Sequence, residues 1–262
     1  MANSNKKDQI QVKNMTDEKI SVVIPAYNSS ETIGQAVRSV LEQKVPVEVI
    51  IVDDCSQDDI KKALKQYKDD ERIHILRNES NLGVAKSRNL GVKSASGKYI
   101  AFLDADDIWM NGKLEKQLSL MKETGAVLCS TARELITEDG TRTGKVIEVP
   151  ERITYKKLLR GNVINCSSVL VERDTIINHP MGNDDIHEDY ICWLQILREC
   201  GYSVAVNEPL ILYRQMRNSK SGSKLSSAHK TFAVYRKMGY GFLKSCIYFA
   251  CYAVNGVIKY FL

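Results

Sequence analysis

The amino-acid sequence predicts an α/β protein in which a mostly parallel central sheet is flanked by helices. Short apolar runs of the kind that form buried strands alternate, from Lys19 to Leu103, with longer segments whose apolar residues recur at the helical period. A polar cluster follows each of these apolar runs. Such an alternation builds βαβ units, whose strands lie parallel and whose crossovers are right-handed.

The elements follow one another in a regular order. Strands are predicted at 19–25, 47–53, 72–76 and 99–103, and helices at 29–43, 57–67 and 83–94. A further strand is expected at 162–171, and the apolar face of Tyr190, Trp193, Leu194 and Leu197 predicts a helix that opens at Asp189. The repeated units predict one continuous sheet.

Length and composition limit the class of protein. The chain has 262 residues, of which 44% are hydrophobic and 26% charged, as in an average globular protein. It is long enough for one large or two closely packed domains. Its seven cysteines are odd in number and form no Cys-x-x-Cys pair, which favours reduced thiols over a disulfide framework. The first residues lack the apolar core of a signal peptide, so a cytoplasmic location is expected.

The charge of the chain is unevenly distributed. After Glu208 there are nine basic residues and no acidic one, in a segment that also contains the apolar and aromatic run at 241–262. This pattern predicts amphipathic helices that lie on an anionic membrane surface, with packing against the protein's own domain as the alternative. The longest uncharged run, 245–258, is too short to span a bilayer. Nucleic-acid binding is not expected, because the aromatic residues do not alternate with the basic loop.

Polar clusters at 25–28, 53–56, 77–83 and 104–107 follow the four predicted strands. Ligands of such sheets bind beyond the carboxyl ends of the strands. There is no Gly-x-Gly-x-x-Gly after the first strand and no Gly-Lys-Ser/Thr phosphate loop. These absences exclude a standard dinucleotide site and a P-loop.

Three carboxylates end the fourth apolar run, in the stretch AFLDADDIW. Asp104 and Asp106 project to the same side of an extended segment, because side chains alternate along it. Two such carboxylates are suitable ligands for Mg²⁺ or Mn²⁺, which complete their coordination with water and phosphate oxygens. Adjacent aspartates are also common in turns and helix caps, and this alternative remains open from the residues alone.

Four segments of the sequence together resemble the inverting family 2 glycosyltransferases of the GT-A fold. They are SVVIPAYNSSETIGQAVRSVLEQ, VEVIIVDDCSQD, NLGVAKSRNLGVKSASGKYIAFLDADD and HEDYICWLQILREC. The resemblance extends from about residue 19 to about residue 214 and implies a UDP-sugar donor and a Rossmann-like sheet. With the charge pattern, it predicts four parts: a flexible N-terminus at 1–18, a nucleotide-sugar-binding half at 19–107, an acceptor-binding half at 108–215, and a basic loop with amphipathic C-terminal helices at 216–262.

The resemblance assigns roles on the donor side. Pro25, Tyr27 and Asn28 match the loop that lies under the nucleobase. Asp54 matches the uracil-binding position, and Arg88 matches a residue near the base and the diphosphate.

The resemblance also assigns the metal and the base. Asp104 and Asp106 match the Asp-x-Asp motif that holds Mn²⁺ or Mg²⁺, with Asp106 as the direct ligand. Asp189 matches the catalytic base, and Glu188 is its supporting neighbour. From the residues alone, the better explanation of Glu188 and Asp189 is a pair of acids that caps and begins a helix.

One position departs from the family pattern. Many members carry a histidine after a Tyr-Arg pair, and Met216 stands where that histidine is expected. A thioether is a poor ligand for Mg²⁺ or Mn²⁺. The third protein contact to the metal is therefore open. The diphosphate could be neutralised by Arg214, Arg217, Ser219 or Lys220.

The predicted activity is transfer of a sugar from a UDP-sugar to an acceptor hydroxyl with inversion. The expected acceptor is a lipid-linked saccharide, carried on a polyprenyl diphosphate, or another oligosaccharide, used in O-antigen, capsule or exopolysaccharide assembly on the inner face of the cell membrane. Three alternatives are a haloacid dehalogenase-type phosphohydrolase, a nucleotidyltransferase, and a catalytically inactive nucleotide-sugar binding module. Against the first, the Asp-x-Asp follows the fourth strand and not the first; against the second, the loop at 25–30 has no glycine.

Overall fold

The computed structural model describes residues 18–182, 186–215 and 224–261, with side chains described up to 256 and not for 224–226. Within these ranges ten strands form one sheet. The strands are β1 (Ile20–Ala26), β2 (Val47–Asp53), β3 (Ile73–Arg77), β4 (Tyr99–Phe102), β5 (Ile108–Trp109), β6 (Leu128–Ile136), β7 (Arg142–Ile147), β8 (Arg152–Thr154), β9 (Leu170–Glu172) and β10 (Tyr202–Arg214).

The described helices lie between and after these strands. They are α1 (Ile33–Leu41), α2 (Ile60–Ala63), α3 (Val84–Ser94), α4 (Lys113–Thr124), α5 (Tyr155–Leu159), α6 (Arg173–Asn178), α7 (Glu188–Cys200), α8 (Lys224–Lys237) and α9 (Phe242–Phe261). Two short 3₁₀ segments, Lys65–Tyr67 and Cys166–Ser168, complete the described elements.

The sheet has the order β3-β2-β1-β4-β9-β6-β10-β5, with β7 beside β6 and β8 beside β10. Strands β3, β2, β1 and β4 are all parallel, and β6 is parallel to β10. Antiparallel pairings begin at β9, which joins β4 to β6. The predicted α/β fold with a helix-flanked sheet is confirmed, and the carboxyl ends of β1, β2, β3 and β4 meet at one edge.

Hydrophobic layers cover both faces of the sheet. Along β1, Val23 belongs to one layer, whereas Val22 and Ile24 belong to the other. This alternation follows from the two-residue period of a strand, and burial of both faces explains the unbroken apolar runs in the sequence. Helix α3 approaches β1 closely at Gly91, where a Cβ atom would overlap the Val23 side chain.

Two predicted elements differ from the observed ones. The helix predicted at 57–67 begins only at Ile60, because the Asp59 carboxylate accepts a hydrogen bond from the Lys62 amide (2.9 Å) and caps it there. The strand predicted at 162–171 is wrong, since only its last two residues, Leu170 and Val171, join β9. Before them, Ser168 donates its hydroxyl and amide hydrogens to the Asn165 carbonyl oxygen (2.6 and 3.0 Å), which closes a 3₁₀ turn.

Helix α9 packs one aromatic face against the protein. The ring of Tyr248 lies 5.7 Å from that of Tyr235, and the ring of Tyr252 lies 5.9 Å from that of Tyr190. The opposite face exposes Leu243, Ile247 and Val254, which are 73%, 55% and 59% exposed. One face of α9 therefore packs on the domain, as one of the two interpretations of the tail expects. The other face carries exposed apolar side chains.

Among the described helices, none combines the length and the apolar character that crossing a membrane requires. Of the N-terminus predicted as flexible, residues 1–17 lie outside the described residues. Glu18 is described and forms ion pairs with Lys98 (2.7 Å) and Lys122 (2.9 Å).

Candidate active site

The loops that follow β1 and β2 are joined by side-chain hydrogen bonds. Asn28 has a positive φ of 49°, which asparagine tolerates better than most residues. Its amide donates to the Ser56 hydroxyl (3.0 Å), and its side-chain oxygen accepts from the Gln57 amide (2.8 Å). Pro25 is the next-to-last residue of β1, and Tyr27, just after the strand, is 47% exposed. The predicted nucleobase loop therefore presents one open aromatic ring.

Asp54 is buried and organises the loop that precedes α3. One carboxylate oxygen accepts from the Asn78 side chain (2.7 Å) and the Leu82 amide (2.8 Å), and the other accepts from the Gly83 amide (2.8 Å). A carboxylate has about four acceptor positions, so about one remains after these three bonds. The side chain predicted to bind uracil thus also fixes the start of α3.

Arg88 on α3 bridges two parts of the chain that are far apart in sequence. Its guanidinium donates to Asp104 Oδ1 (2.6 Å) and to Glu188 Oε1 (2.9 Å), and the residue is 4% exposed. Charge-assisted bonds of this kind are short and directional. The arginine therefore holds the acidic turn after β4 beside the first turn of α7.

The acidic turn after β4 is anchored from below by Asp107. This residue is fully buried, and it accepts hydrogen bonds from the Ser167 hydroxyl (2.6 Å) and the Arg214 amide (3.0 Å). The Ser167 hydroxyl oxygen in turn accepts from the Asp104 amide (3.1 Å). Burial, and next the neighbouring Asp106, raises the pKa of Asp107 well above its usual range. The third aspartate of the cluster is thus a support for the other two.

Asp104 and Asp106 place two interacting carboxylates in a partly closed site, and Arg88 binds Asp104. Burial, and next the charge of Asp104, raises the pKa of Asp106 to about 6. A divalent cation would relieve this repulsion, and hard carboxylate oxygens are suitable ligands for Mg²⁺ and Mn²⁺. In the described ranges, no three His, Cys, Asp or Glu side chains are grouped as a metal site. The two carboxylates of Asp104 and Asp106 could hold a cation if water and phosphate oxygens completed its coordination.

Arg214, at the end of β10, supports the acidic turn from behind. Its guanidinium donates to the carbonyl oxygens of Asp106 (2.8 Å) and Glu138 (3.0 Å) and to Gln35 Oε1 (3.0 Å). The residue is 4% exposed. In this arrangement it places a positive charge beneath the turn, and its N–H groups bind protein atoms.

Asp189 lies in the first turn of α7 and faces a large cleft. Its Oδ1 accepts from the Tyr190 amide (2.7 Å), and the residue is half-buried. Burial, and next the charge of Glu188, raises the pKa of Asp189 to about 7, against an opposing effect of Arg88. A carboxylate that ionises near neutral pH is suited to accept a proton during catalysis.

The cleft in front of Asp189 has a volume of about 1430 Å³. Asn165 and Tyr213 line it beside Asp189, helix α5 forms another wall, and Tyr252 of α9 closes the far side. The structure thus brings the predicted base to the open space between the sheet and the C-terminal helices.

Three features of the site were not found from the sequence. Ser167 joins Asp104 to Asp107, yet its segment was predicted as a strand. Trp109 is 3% exposed and donates its indole N–H to the Ser167 carbonyl (2.8 Å), a bond that no sequence pattern indicated. No sequence motif indicated that helix α5 would form a wall of the cleft. Met216, Arg217 and the rest of the basic loop lie outside the described residues.

Comparison with known proteins places these observations in a family. The profile of glycosyl transferase family 2 matches residues 21–177. The chain is 41% identical to TuaG of Bacillus subtilis, a protein named for teichuronic acid biosynthesis, over 92% of this chain and 96% of that one. It is 35% identical to WfgD of Escherichia coli, named as a UDP-Glc:alpha-D-GlcNAc-diphosphoundecaprenol beta-1,3-glucosyltransferase, over 94% of this chain and 96% of that one.

Solved structures show the same fold at lower identity. TarS of S. aureus in complex with UDP-GlcNAc superposes with a TM-score of 0.67 at 19% identity, over 83% of this chain and 64% of that one. The mannosyltransferase PcManGT of Pyrobaculum calidifontis, solved with GDP-Man and Mn²⁺, gives a TM-score of 0.64 at 16% identity, over 86% of this chain and 65% of that one. The expected resemblance is confirmed, and the chain belongs to glycosyl transferase family 2.

Proposed function

We propose that this glycosyltransferase transfers a sugar from a UDP-sugar to a hydroxyl of a lipid-linked saccharide, with inversion at the anomeric carbon. One observation carries the proposal. Arg88 holds the Asp104–Asp106 turn next to the helix that bears Asp189, and Asp189 faces an open cleft. A donor diphosphate at the turn and an acceptor in the cleft would then meet in front of one carboxylate.

The donor side would use residues 19–107. Tyr27 offers an exposed ring on which a base can stack, and Asp54 retains an acceptor position for a nucleobase N–H. Pro25 and Asn28 set the backbone beside that ring. The UDP-GlcNAc complex of TarS supports a UDP-sugar as the donor class.

The acidic turn would hold the diphosphate end of the donor. Asp106, with Asp104 beside it, is the proposed ligand of Mn²⁺ or Mg²⁺, which when bound supplies the positive charge that stabilises a departing diphosphate. Arg88 orients Asp104, and Arg214 fixes the Asp106 carbonyl from behind. The two arginines keep the turn in one geometry, because each binds a different residue of it.

Asp189 is the proposed general base. The acceptor hydroxyl attacks the anomeric carbon from the side opposite the diphosphate, and Asp189 accepts the hydroxyl proton as the new glycosidic bond forms. The pKa of about 7 makes the group a stronger base than an ordinary aspartate while it still ionises at neutral pH. Glu188 assists as a neighbouring charge and does not take the proton, because Arg88 binds it. A single displacement of this kind inverts the anomeric configuration.

The names of two relatives support this acceptor class. WfgD is named for transfer to a diphosphoundecaprenol-linked GlcNAc, and TuaG for teichuronic acid biosynthesis. A lipid-linked acceptor would be used at the inner face of the cell membrane. The outer face of α9, with Leu243, Ile247 and Val254, is the proposed contact of this peripheral protein with an anionic bilayer.

A transfer assay tests the proposed function. UDP-glucose and UDP-GlcNAc are supplied with a GlcNAc diphosphate carrying a short alkyl chain, and NMR determines the anomeric configuration of the product. Asp189→Asn should keep UDP affinity but lower kcat by at least about 100-fold, since general-base catalysis contributes about 10²–10⁴. Glu199→Gln, at the exposed end of the same helix, is the control. Unchanged turnover by Asp189→Asn, or a retained anomeric configuration, would contradict the proposal.

A further inference from the structure

The wall of the cleft that helix α5 forms carries a group of basic side chains. Lys156, Lys157 and Arg160 all line the cleft and are all exposed. The same cleft contains Asp189, so the base and the basic group border one continuous space. The proposed chemistry of donor and metal does not use these three side chains.

Helix α5 is held in one orientation by three other helices. Tyr190 of α7 donates its hydroxyl hydrogen to the Leu158 carbonyl (2.8 Å), and Tyr235 of α8 donates to the Leu159 carbonyl (2.9 Å). Asn255 of α9 donates to the Arg160 carbonyl (2.8 Å). Three consecutive carbonyl groups are thus bound from three directions, which rigidly positions this short helix.

The buried side of α5 fixes which side chains face the cleft. Leu158 and Leu159 are 0% and 1% exposed and belong to the core. Because these two positions point inward, Lys156, Lys157 and Arg160 are left at the surface of the cleft. The acids of the lining other than Asp189, Glu148 and Glu151, lie outside α5, before β8. The helix therefore presents a positively charged wall.

Tyr190 ties the helix that bears the base to helix α5. It directly follows Asp189, and its hydroxyl donates to the Leu158 carbonyl of α5 (2.8 Å). Asp189 and the basic side chains of α5 line the same cleft. A sugar whose hydroxyl approaches Asp189 could therefore direct its anomeric substituent toward α5.

Helix α9 borders both the cleft and the exposed apolar surface. Phe249, Tyr252 and Ala253 line the cleft, while Val254 and Ile247 on the same helix are exposed and apolar. The cleft therefore opens beside the surface that would contact a bilayer. A hydrocarbon chain that leaves the basic wall would then have the exposed apolar face of α9 close by.

We propose that Lys156, Lys157 and Arg160 form a binding site for the diphosphate of a polyprenyl-diphosphate-linked acceptor. The proposal rests on the proposed function and adds to it the part of the acceptor that the enzyme recognises. Lysine binds phosphate as a point charge, and arginine can bind two phosphate oxygens at once. Binding the diphosphate on α5 would place the sugar hydroxyl at Asp189 and select acceptors that still carry their lipid carrier.

The test compares two soluble acceptors in the absence of lipid. One is GlcNAc α-diphosphate with a short alkyl chain, and the other is the same alkyl GlcNAc α-glycoside without phosphate. The variant is Lys156→Ala/Lys157→Ala/Arg160→Ala, and the matched control is Lys61→Ala/Lys62→Ala on α2, an exposed basic pair that does not line the cleft. The triple variant should keep its fold, because the hydrogen bonds of α5 use backbone carbonyls and its core contacts are Leu158 and Leu159; thermal unfolding checks this.

Two readouts keep the inference separate from the proposed function. Calorimetry with EDTA present measures binding of the diphosphate acceptor alone, and we expect at least about tenfold weaker binding in the triple variant and no change in the control. In the transfer assay the KM for the diphosphate acceptor should rise to the same degree, with the KM for the UDP-sugar and for the phosphate-free glycoside unchanged. If the wild type transfers no sugar but the binding difference is present, the proposed function fails and the inference stands.

Other outcomes overturn the inference. Equal affinity of wild type and triple variant for the diphosphate acceptor would show that α5 does not bind it. Loss of binding to phosphatidylglycerol–phosphatidylcholine vesicles, with acceptor affinity intact, would assign the basic wall to lipid headgroups instead. An equal rise in KM for both acceptors would show that the substitutions act on the sugar site and not on the diphosphate.

Discussion

Replacement of Glu188 by Gln should shift the pH dependence of transfer to lower pH. Asp189 must be ionised to accept a proton, and its pKa is raised from 3.8 to about 7 by burial and by the negative charge of Glu188. With a pKa near 7, kcat/KM should fall about tenfold per pH unit below that value and be about 100-fold lower at pH 5 than at pH 9. Glu188→Gln removes the negative neighbour and also frees Arg88, so both changes favour ionised Asp189.

The size of the shift follows from Coulomb's law. Two like charges about 6 Å apart interact by roughly 2–3 kcal/mol at an effective dielectric constant of about 20. Half of this energy is equivalent to about one pKa unit. The midpoint of the acid limb should therefore move from about pH 7 to about pH 6 or below, and the rate at pH 5, relative to the plateau, should rise about tenfold.

The assay is UDP release between pH 5 and 9 at saturating Mn²⁺, which keeps the Asp106 carboxylate ionised and removes its own titration from the profile. Glu199→Gln is the control, because Glu199 is on the same helix but its side chain is 75% exposed, at the helix's far end. A wild-type profile without an acid limb in this range would refute the assignment of Asp189. An acid limb that stays in place in Glu188→Gln would refute the electrostatic argument.

Three further predictions concern stability and the surface. Burial disfavours the ionised form of Glu48, but its bonds to Lys19, Ser21 and Ser96 lower its pKa from 4.5 to about 2, so it stabilises the fold above pH 4.5 and loses this effect as the pH falls toward 2. In urea unfolding, Glu48→Gln should lower the free energy of unfolding by about 2 kcal/mol at pH 7, allowing for solvent screening, and by less at pH 3. Burial lowers the pKa of Lys113 to about 7, so above pH 7 the unfolded chain binds more protons than the folded one, and the free energy of unfolding should rise by up to about 1.4 kcal/mol per pH unit. Lys113→Met should flatten that slope, and equal slopes in the wild type and the variant would contradict the prediction. The triple variant Leu243→Ser/Ile247→Ser/Val254→Ser should no longer sediment with phosphatidylglycerol vesicles, and its melting temperature should be nearly unchanged, because these side chains are on the exposed face of α9. Continued sedimentation of the variant would place the membrane contact elsewhere.

The fold could be predicted where local signals are strong. Strand β2 was expected at 47–53 and is observed at Val47–Asp53, because burial on both faces leaves an unbroken apolar run between polar residues. Local signals also located the Asp104–Asp106 turn, which follows the end of a strand, and the start of α7, whose apolar residues recur at the helical period.

The remainder depends on contacts between distant segments. Arg88 meets Glu188 across 100 residues, and no local pattern indicates that pairing. Ser167 was placed in a strand because apolar and small residues surround it, whereas its hydroxyl is used by Asp107 and Asp104. Helix α5 gave no signal, because its role arises only where α7, α8 and α9 meet it.

Calorimetric titration of UDP into the purified protein, with Mn²⁺ and with EDTA, tests the central claim most directly. Asp106→Ala is the informative variant, and Asp69→Ala is the control, because the Asp69 side chain is 87% exposed on the surface. We predict that UDP binds with Mn²⁺, and that binding is lost both with EDTA and in Asp106→Ala but retained in Asp69→Ala. Absence of UDP binding to the folded wild type with Mn²⁺, or binding that is unaffected by Asp106→Ala, would contradict a metal-dependent UDP-sugar site at the acidic turn.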